Sequence, residues 1–418
     1  MKRFYLKLDY GLLSKLLFFI IWPFGAWLHS LSEPQKKSSY LIFFLFSLLL
    51  LWHMAPTGLT SDYTDFLGIL ARFKETSVST RELLQEIDAF FHFSSDAPKE
   101  LYEDFLIWIT KSFTDNYHVF FLLAAIPVAV FQLKCVHLIT SDDVFYPCLW
   151  GGIAVIMMII PRDIIAVQNP RFTTGFWMFC FCSLYGFSAK RIKVKYLLPL
   201  LLLPAIHSGM WLALIMAFGY LFIPKRITGS LEVLAYLSIP FIFIDSHLSS
   251  LLNVSLFPEN ISQWAERYNS EEYYDKYVIH VGRSGFWWVD ELFTVGSKIV
   301  YLSLAIMVIK KKKTYIGNNA EFYFYPYFLY TFIIINLIQF IPVLGARYLG
   351  FWKIFIFFTW FKFFHFSRKT PYLLLLAVSL WPMFKRYGYV LGGSLSVNMP
   401  PDIFIAPLPY LIGEGVWY

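Results

Sequence analysis

The feature that most constrains this chain is a succession of long, almost unbroken apolar runs, such as 41–52, 119–130 and 354–361. In lipid, backbone polar groups are satisfied only within helices or closed barrels. A helix needs about 20 apolar residues to cross a hydrocarbon core of about 30 Å, and spans built around these runs are far too long for barrel strands. The expectation is therefore an all-α polytopic membrane protein, with residues 1–418 forming a single membrane domain. Composition agrees: 58% of residues are hydrophobic and 15% charged, where soluble domains carry about a quarter charged residues.

Ten spans are expected, near 12–31, 40–55, 117–139, 145–160, 172–188, 231–247, 292–309, 322–343, 348–366 and 371–390. The apolar stretch 12–31 lacks a small-x-small cleavage site and is not read as a cleaved signal peptide. The segment 196–223 differs from the spans. Lys190, Arg191, Lys193 and Lys195 precede it, and Lys225 and Arg226 follow it. Basic loops prefer the cytoplasmic side, so this segment is expected to enter and return as a re-entrant helical hairpin, broken around His207 by Pro204 and Gly209. The loops 32–39, 189–195, 224–226, 310–313 and 367–370 then lie inside. Loops 56–116 and 248–291 and the tail after Val390 lie outside. One conflict remains at the N-terminus, where Lys2, Arg3, Lys7 and Lys15 would face outward if 12–31 crosses. Pro23 and Gly25 near its centre leave an in-plane or re-entrant course open.

The outer loops carry pattern of their own. Stretches 64–73, 81–93 and 101–113 space apolar residues as amphipathic helices do. Loop 248–291 gathers Trp264, Tyr268, Tyr273, Tyr274, Tyr277, Arg283, Trp287 and Trp288 among Glu266, Glu271, Glu272 and Asp275. Rings interleaved with carboxylates suit a carbohydrate surface; an interfacial aromatic belt has the same composition. The net charge of +7 fits basic cytoplasmic loops better than nucleic-acid binding, because the basic residues sit between apolar segments. The four cysteines suggest neither a disulfide framework nor a metal site, and no cofactor is expected.

Ionisable residues near membrane depth are candidates for function. Arg162 and Arg171 flank a short outer turn, and Arg347 is expected in the outer turn before the span at 348. Their charge needs a partner, either an anionic ligand or a protein carboxylate such as Asp163. Arginine suits a diphosphate because its planar fork donates two hydrogen bonds and stays charged. His207, at the expected helix break, could accept a proton from an attacking hydroxyl or donate a hydrogen bond to a phosphate. Asp62 and Asp65 are weaker candidates for the same base.

Four motifs, in order, resemble the EpsG-like branch of the Wzy O-antigen and exopolysaccharide polymerases. Thr60-Ser-Asp-Tyr-Thr-Asp-Phe66 is similar to that family's Gly-x-Asp-Tyr-x-x-Tyr opening of the first outer loop, with Phe66 in place of Tyr. Glu103-Asp-Phe-Leu-Ile-Trp-Ile109 precedes a long span. Asn169-Pro-Arg-Phe-Thr-Thr-Gly175 opens a span that a Lys-rich loop and Leu203-Pro-Ala-Ile-His-Ser208 follow, as an Arg and then a His-Ser pair do in the family. Gly345-Ala-Arg-Tyr-Leu349 resembles its late Glu-Arg turn, with Ala346 in place of Glu. The resemblance implies a fold like that of the GT-C glycosyltransferases. It also implies a bacterial inner-membrane location with the active site facing the periplasm. Undecaprenyl-diphosphate-linked oligosaccharides would serve as donor and acceptor, with a chain-length regulator and a flippase as further partners. It carries Arg171, His207 and Arg347 over as catalytic positions, with Arg162, Asp62, Tyr63, Tyr273, Arg283, Trp287 and Trp288 on the substrate side. A ligase, a lipid-monophosphate-sugar-dependent transferase and a lipid-linked glycan transporter are the alternative readings.

Overall fold

A computed structural model describes residues 10–53, 55–56, 79–92, 94, 97–98, 100–140, 159, 170–188, 192–243, 287–315, 323–340, 342–363, 397–398 and 401–414. The expected spans at 145–160 and 371–390 and the stretch 64–73 lie essentially outside these residues. In chain order the helices are α1 (Tyr10–Ile21), α2 (Pro23–Leu31), α3 (Lys37–Trp52), α4 (Thr80–Phe91), α5 (Tyr102–Lys111), α6 (Tyr117–Thr140) and α7 (Pro170–Phe187). They continue with α8 (Val194–Leu197), α9 (Leu203–Ile206), α10 (Trp211–Gly219), α11 (Thr228–Ser238), α12 (Trp287–Tyr315), α13 (Phe324–Leu337), α14 (Pro342–Phe363) and α15 (Leu408–Glu414). The fold is all-α, apart from one two-residue antiparallel pair between β1 (Ala55–Pro56) and β2 (Val397–Asn398). Among the described residues one helix, α6, is long and apolar enough to cross a membrane.

The chain forms two compact units. The first holds residues 1–181, 205–208 and 384–418; the second holds 182–204 and 209–383.

In the first unit, α3 and α6 pack antiparallel. Trp52 meets the ring of His118 with centroids 5.5 Å apart, and at the opposite ends the Tyr40 hydroxyl bonds that of Thr140. Segment 12–31 takes the broken course that Pro23 and Gly25 left open beside a single span. Helix α1 ends at Ile21, Trp22 leaves helical geometry at φ −152° and ψ 89°, and Pro23 begins α2. Two contacts fix a reversal of direction: Phe18 stacks edge-on to His29 at 6.3 Å, and Lys15 Nζ lies 3.2 Å from Glu33. The arms have 12 and 9 residues, about 18 and 14 Å long, so neither crosses a bilayer. The cause is local. Proline cannot donate its missing N–H to the helix ladder and clashes with the preceding turn. Gly25 then leaves room for the Trp22 ring, since a Cβ there would sit 2.1 Å from it. At the hairpin tip the Trp22 indole donates to the Phe404 carbonyl at 2.7 Å, and Phe24 and Phe404 meet edge-on at 5.1 Å. At its open end Lys15, 3% exposed, donates to Ser39 Oγ at 2.7 Å as well as pairing with Glu33.

Stretches 81–93 and 101–113 form α4 and α5. Ser79 caps α4: its hydroxyl accepts from the Glu82 N–H at 3.2 Å, and Glu82 accepts from the Ser79 N–H at 2.8 Å.

In the second unit, α13 packs on α11 and α14, and α12 packs on α14. Aromatic rings fill the interfaces. Phe187 stacks on Tyr327 at 4.1 Å, and Phe332 on Trp352 at 5.1 Å. Two hydrogen bonds join buried or part-buried polar groups across helices. Asn336 donates to Ser238 at 2.9 Å, and the Tyr325 hydroxyl donates to Glu232 at 3.0 Å.

Helix α14 starts earlier than expected. Pro342, whose fixed φ suits the first helical position, opens it, so Arg347 lies within the helix and not in a turn. Gly345 permits this start, because a Cβ there would meet the Gln339 Cα at 2.8 Å.

Replacing Gly25 by Ala should displace the Trp22 ring and weaken its bond to Phe404. Overpacking of this kind costs about 1–3 kcal/mol. The expected result is a lower melting temperature in detergent, with Trp22→Phe giving a smaller loss; an unchanged melt for Gly25→Ala would refute the packing described.

Candidate active site

The helix interruption expected around His207 is present. Helix α9 stops at Ile206, His207 is non-helical, and a 3-10 turn resumes at Ser208. Each broken turn leaves backbone groups without intrahelical partners, and the segment before α5 supplies them in the first unit. The Leu101 N–H donates to the Ala205 carbonyl at 2.8 Å. Glu100 Oε1 accepts from both the Ser208 N–H, at 3.0 Å, and the Ser208 hydroxyl, at 2.9 Å.

Glu100 is the hub of a charged cluster. Arg171, second residue of α7, places Nη1 3.1 Å from Glu100 Oε2 and 3.3 Å from Glu103 Oε2. His207 Nδ1 lies 3.7 Å from Glu100 Oε1, an ion-pair distance beyond ordinary hydrogen-bond length. Phe172 covers the imidazole edge-on at 5.4 Å. Glu103 and Asp104 stand in the first turn of α5, where the helix dipole favours carboxylates.

The surroundings are dry. Glu103, Asp104 and His207 are 3%, 4% and 6% exposed, while the Arg171 side chain keeps 26%. Burial pushes the Glu100 carboxyl up, but the charges of His207 and Arg171 and the two Ser208 bonds outweigh it and hold it below the usual carboxylate range. Burial also pushes the Tyr102 phenol up to about 12, against the opposing effect of the bond from Thr174 Oγ1 at 3.1 Å. Tyr102 is therefore a neutral wall of the site.

These distances change the account of Arg171. Its charge is met by two carboxylates, Glu100 and Glu103, and the expected partner Asp163 lies outside the described residues. Glu100, Glu103 and Arg171 together carry one negative charge, or none when His207 is protonated. Arg171 is thus a residue that holds the carboxylates in place, not an uncompensated cation awaiting an anion. Its Nε is buried without a hydrogen-bond partner among the described residues.

The structure brings Arg171 and His207 together in one unit and puts Arg347 in the other. Arg162, Asp62, Tyr63, Asp65, Tyr273 and Arg283 lie outside the described residues. Trp287 and Trp288 open α12, and their side chains lie outside the description. Sequence reasoning missed Glu100. Its signal was present: an acid three residues ahead of Glu103, in front of a helix whose first turn is already acidic. Among the described residues no group of three His, Cys, Asp or Glu has metal-site geometry. A nearly buried imidazole beside a carboxylate can take up a proton, and Nδ1 facing Glu100 turns Nε2 away from it.

Glu100→Gln should remove both ion pairs. Breaking a buried pair by deleting one partner costs about 3–5 kcal/mol. Because the folded carboxyl is held below its unfolded value, the advantage of wild type over Glu100→Gln should be complete above about pH 5. It should shrink as pH falls through the folded value. Melting temperatures of both proteins between pH 7 and pH 3.5 test this; a constant gap would contradict it. The chain matches no family model, no curated protein and no solved structure, so the site geometry and the sequence motifs carry the functional reading.

Proposed function

We propose that this chain is a multi-pass inner-membrane glycosyltransferase of the Wzy type, with a GT-C-like helical body. It polymerises lipid-diphosphate-linked oligosaccharides at the outer face. The observation that carries the reading is the cluster of Glu100, Arg171 and His207 at a helix break, where a dry imidazole is held by a carboxylate. The membrane part draws on α6 and on the shorter apolar helices, among them α3, α10 with its flanks, and α13. Large apolar side chains also stand bare in each unit, such as Leu17 at 53% in the first and Ile215 at 57%, Val233 at 59% and Leu237 at 64% in the second. Exposed apolar surface of this extent suits lipid better than water.

In the proposed reaction an acceptor sugar hydroxyl attacks the anomeric carbon of the donor. The new C–O bond forms as the bond to the diphosphate breaks, and the diphosphate leaves with the electron pair. His207 accepts the hydroxyl proton. Glu100 holds the imidazole and stabilises the imidazolium that results, and Arg171 fixes Glu100. Arg162 keeps the role read from the sequence, as a cation for the leaving diphosphate, and Arg347 belongs to the second unit. Tyr63, Tyr273, Trp287 and Trp288 are the rings proposed to stack on sugars. Asp62 and Asp65 are the alternative proton acceptors.

The test is an in vitro reaction of the purified chain with a lipid-diphosphate oligosaccharide from the same host, without nucleotide sugar and with a chelator present. A ladder of products is expected. His207→Gln should fold normally and slow the ladder by roughly 10²–10⁴-fold, the usual worth of a general base, while Asp62→Asn should not. Absence of a ladder from folded protein and verified substrate would sink the polymerase reading and favour a ligase or a transporter.

A further inference from the structure

Helices α12 and α14 pack side by side in the second unit, and each contributes one lysine to their shared interface. Lys298 Nζ donates to the Ile242 carbonyl at 3.2 Å. Lys353 Nζ lies 5.0 Å above the ring of Tyr301. Tyr301 follows Lys298 by three residues and so shares its helix face, which puts the ring under Lys353 on the same side of α12 as Lys298. The register is fixed by Tyr301, which meets Trp352 and Phe357 at 5.7 Å each. Trp352 and Phe357 are fully buried, and both lysines are partly buried.

What distinguishes this pair is its uncancelled charge. Two other covered cations are paired with carboxylates: Lys15 with Glu33, and Arg171 with Glu100 and Glu103. Among the described residues neither Lys298 nor Lys353 meets a carboxylate. A backbone carbonyl and a ring face are weak partners for two ammonium groups that repel each other in an apolar interface. Each lysine stands 11 residues beyond the start of its helix, about 17 Å along the axis, well away from the helix ends.

We propose that Lys298 and Lys353 form a binding site for the diphosphate headgroup of a lipid. Ammonium groups bind phosphate as point charges, and two of them match the charge of a diphosphate. A lipid carries its phosphates to this depth with its own tail in apolar surroundings, which a hydrated free anion cannot do. The inference rests on the membrane part of the function proposed above and adds two residues that the motifs did not contain.

The test uses the full chain in phosphatidylcholine nanodiscs, with Trp352 beside the site as fluorescent reporter. The titrants are a polyprenyl diphosphate, the corresponding polyprenol, phosphatidylglycerol and inorganic pyrophosphate. Saturable binding of the polyprenyl diphosphate, weakened at least tenfold by Lys298→Gln or Lys353→Gln and largely kept by Lys353→Arg, is the expected result. Lys353→Met, which removes a covered charge, should leave the melting temperature unchanged or raised while losing binding. Wild-type affinity in the double variant overturns the proposal, as does equal affinity for the polyprenol. Equally tight, lysine-dependent binding of pyrophosphate or of phosphatidylglycerol would also overturn it, by assigning the site to a free anion or to bulk lipid. No acceptor or turnover is required, so loss of polymerisation with binding retained would refute the polymerase reading alone.

Discussion

One carboxylate organises the first unit. Glu100 accepts two bonds from Ser208 and pairs with Arg171 and His207, so four groups from two other chain segments meet on its two oxygens. In a site this dry, each group costs several kcal/mol if left alone. The helix break at His207 is tolerable because Glu100 and Leu101 meet the backbone groups that the break exposes. The same carboxylate ties the N-terminus of α7 to the break through Arg171. A chain lacking it would have to close the break or flood it with water.

Two covered cations among the described residues are treated alike. Lys15 ties the open end of the α1–α2 hairpin to Glu33 and Ser39, and Arg171 is locked between two acids. In both places the cation serves geometry, because its field is already cancelled. The lysines of α12 and α14 depart from that treatment, and the departure separates a structural cation from one whose field remains available to a ligand.

Much of the site was legible in the sequence. Pro204, His207 and Gly209 mark the broken helix because proline and glycine cannot sustain one, and α4 and α5 follow from their apolar spacing. Arg171 and His207 were paired by motif order. Three things were not legible. Hydropathy sums over 12–31 see apolar content but not direction, so a single span and a reversal stayed open together. Glu100 looked like one loop acid among several, since sequence distance hides a bond across 108 residues. Lys298 and Lys353 were averaged away inside apolar windows, where a single charge hardly changes the mean.

The N-terminal hairpin also bears on how the chain inserts. A segment that turns back does not count as a crossing, so on the membrane reading the nine remaining spans run from a cytoplasmic N-terminus to an external tail. The early cluster of Lys2, Arg3 and Lys7 then never has to be carried across the bilayer. The first stretch of sequence to cross becomes α3, behind Lys36 and Lys37, which hold its start inside. The tip of the hairpin is closed by a distant part of the chain, since Trp22 bonds Phe404. The hairpin tip is therefore sealed only after Phe404, 382 residues further along the chain, has been made.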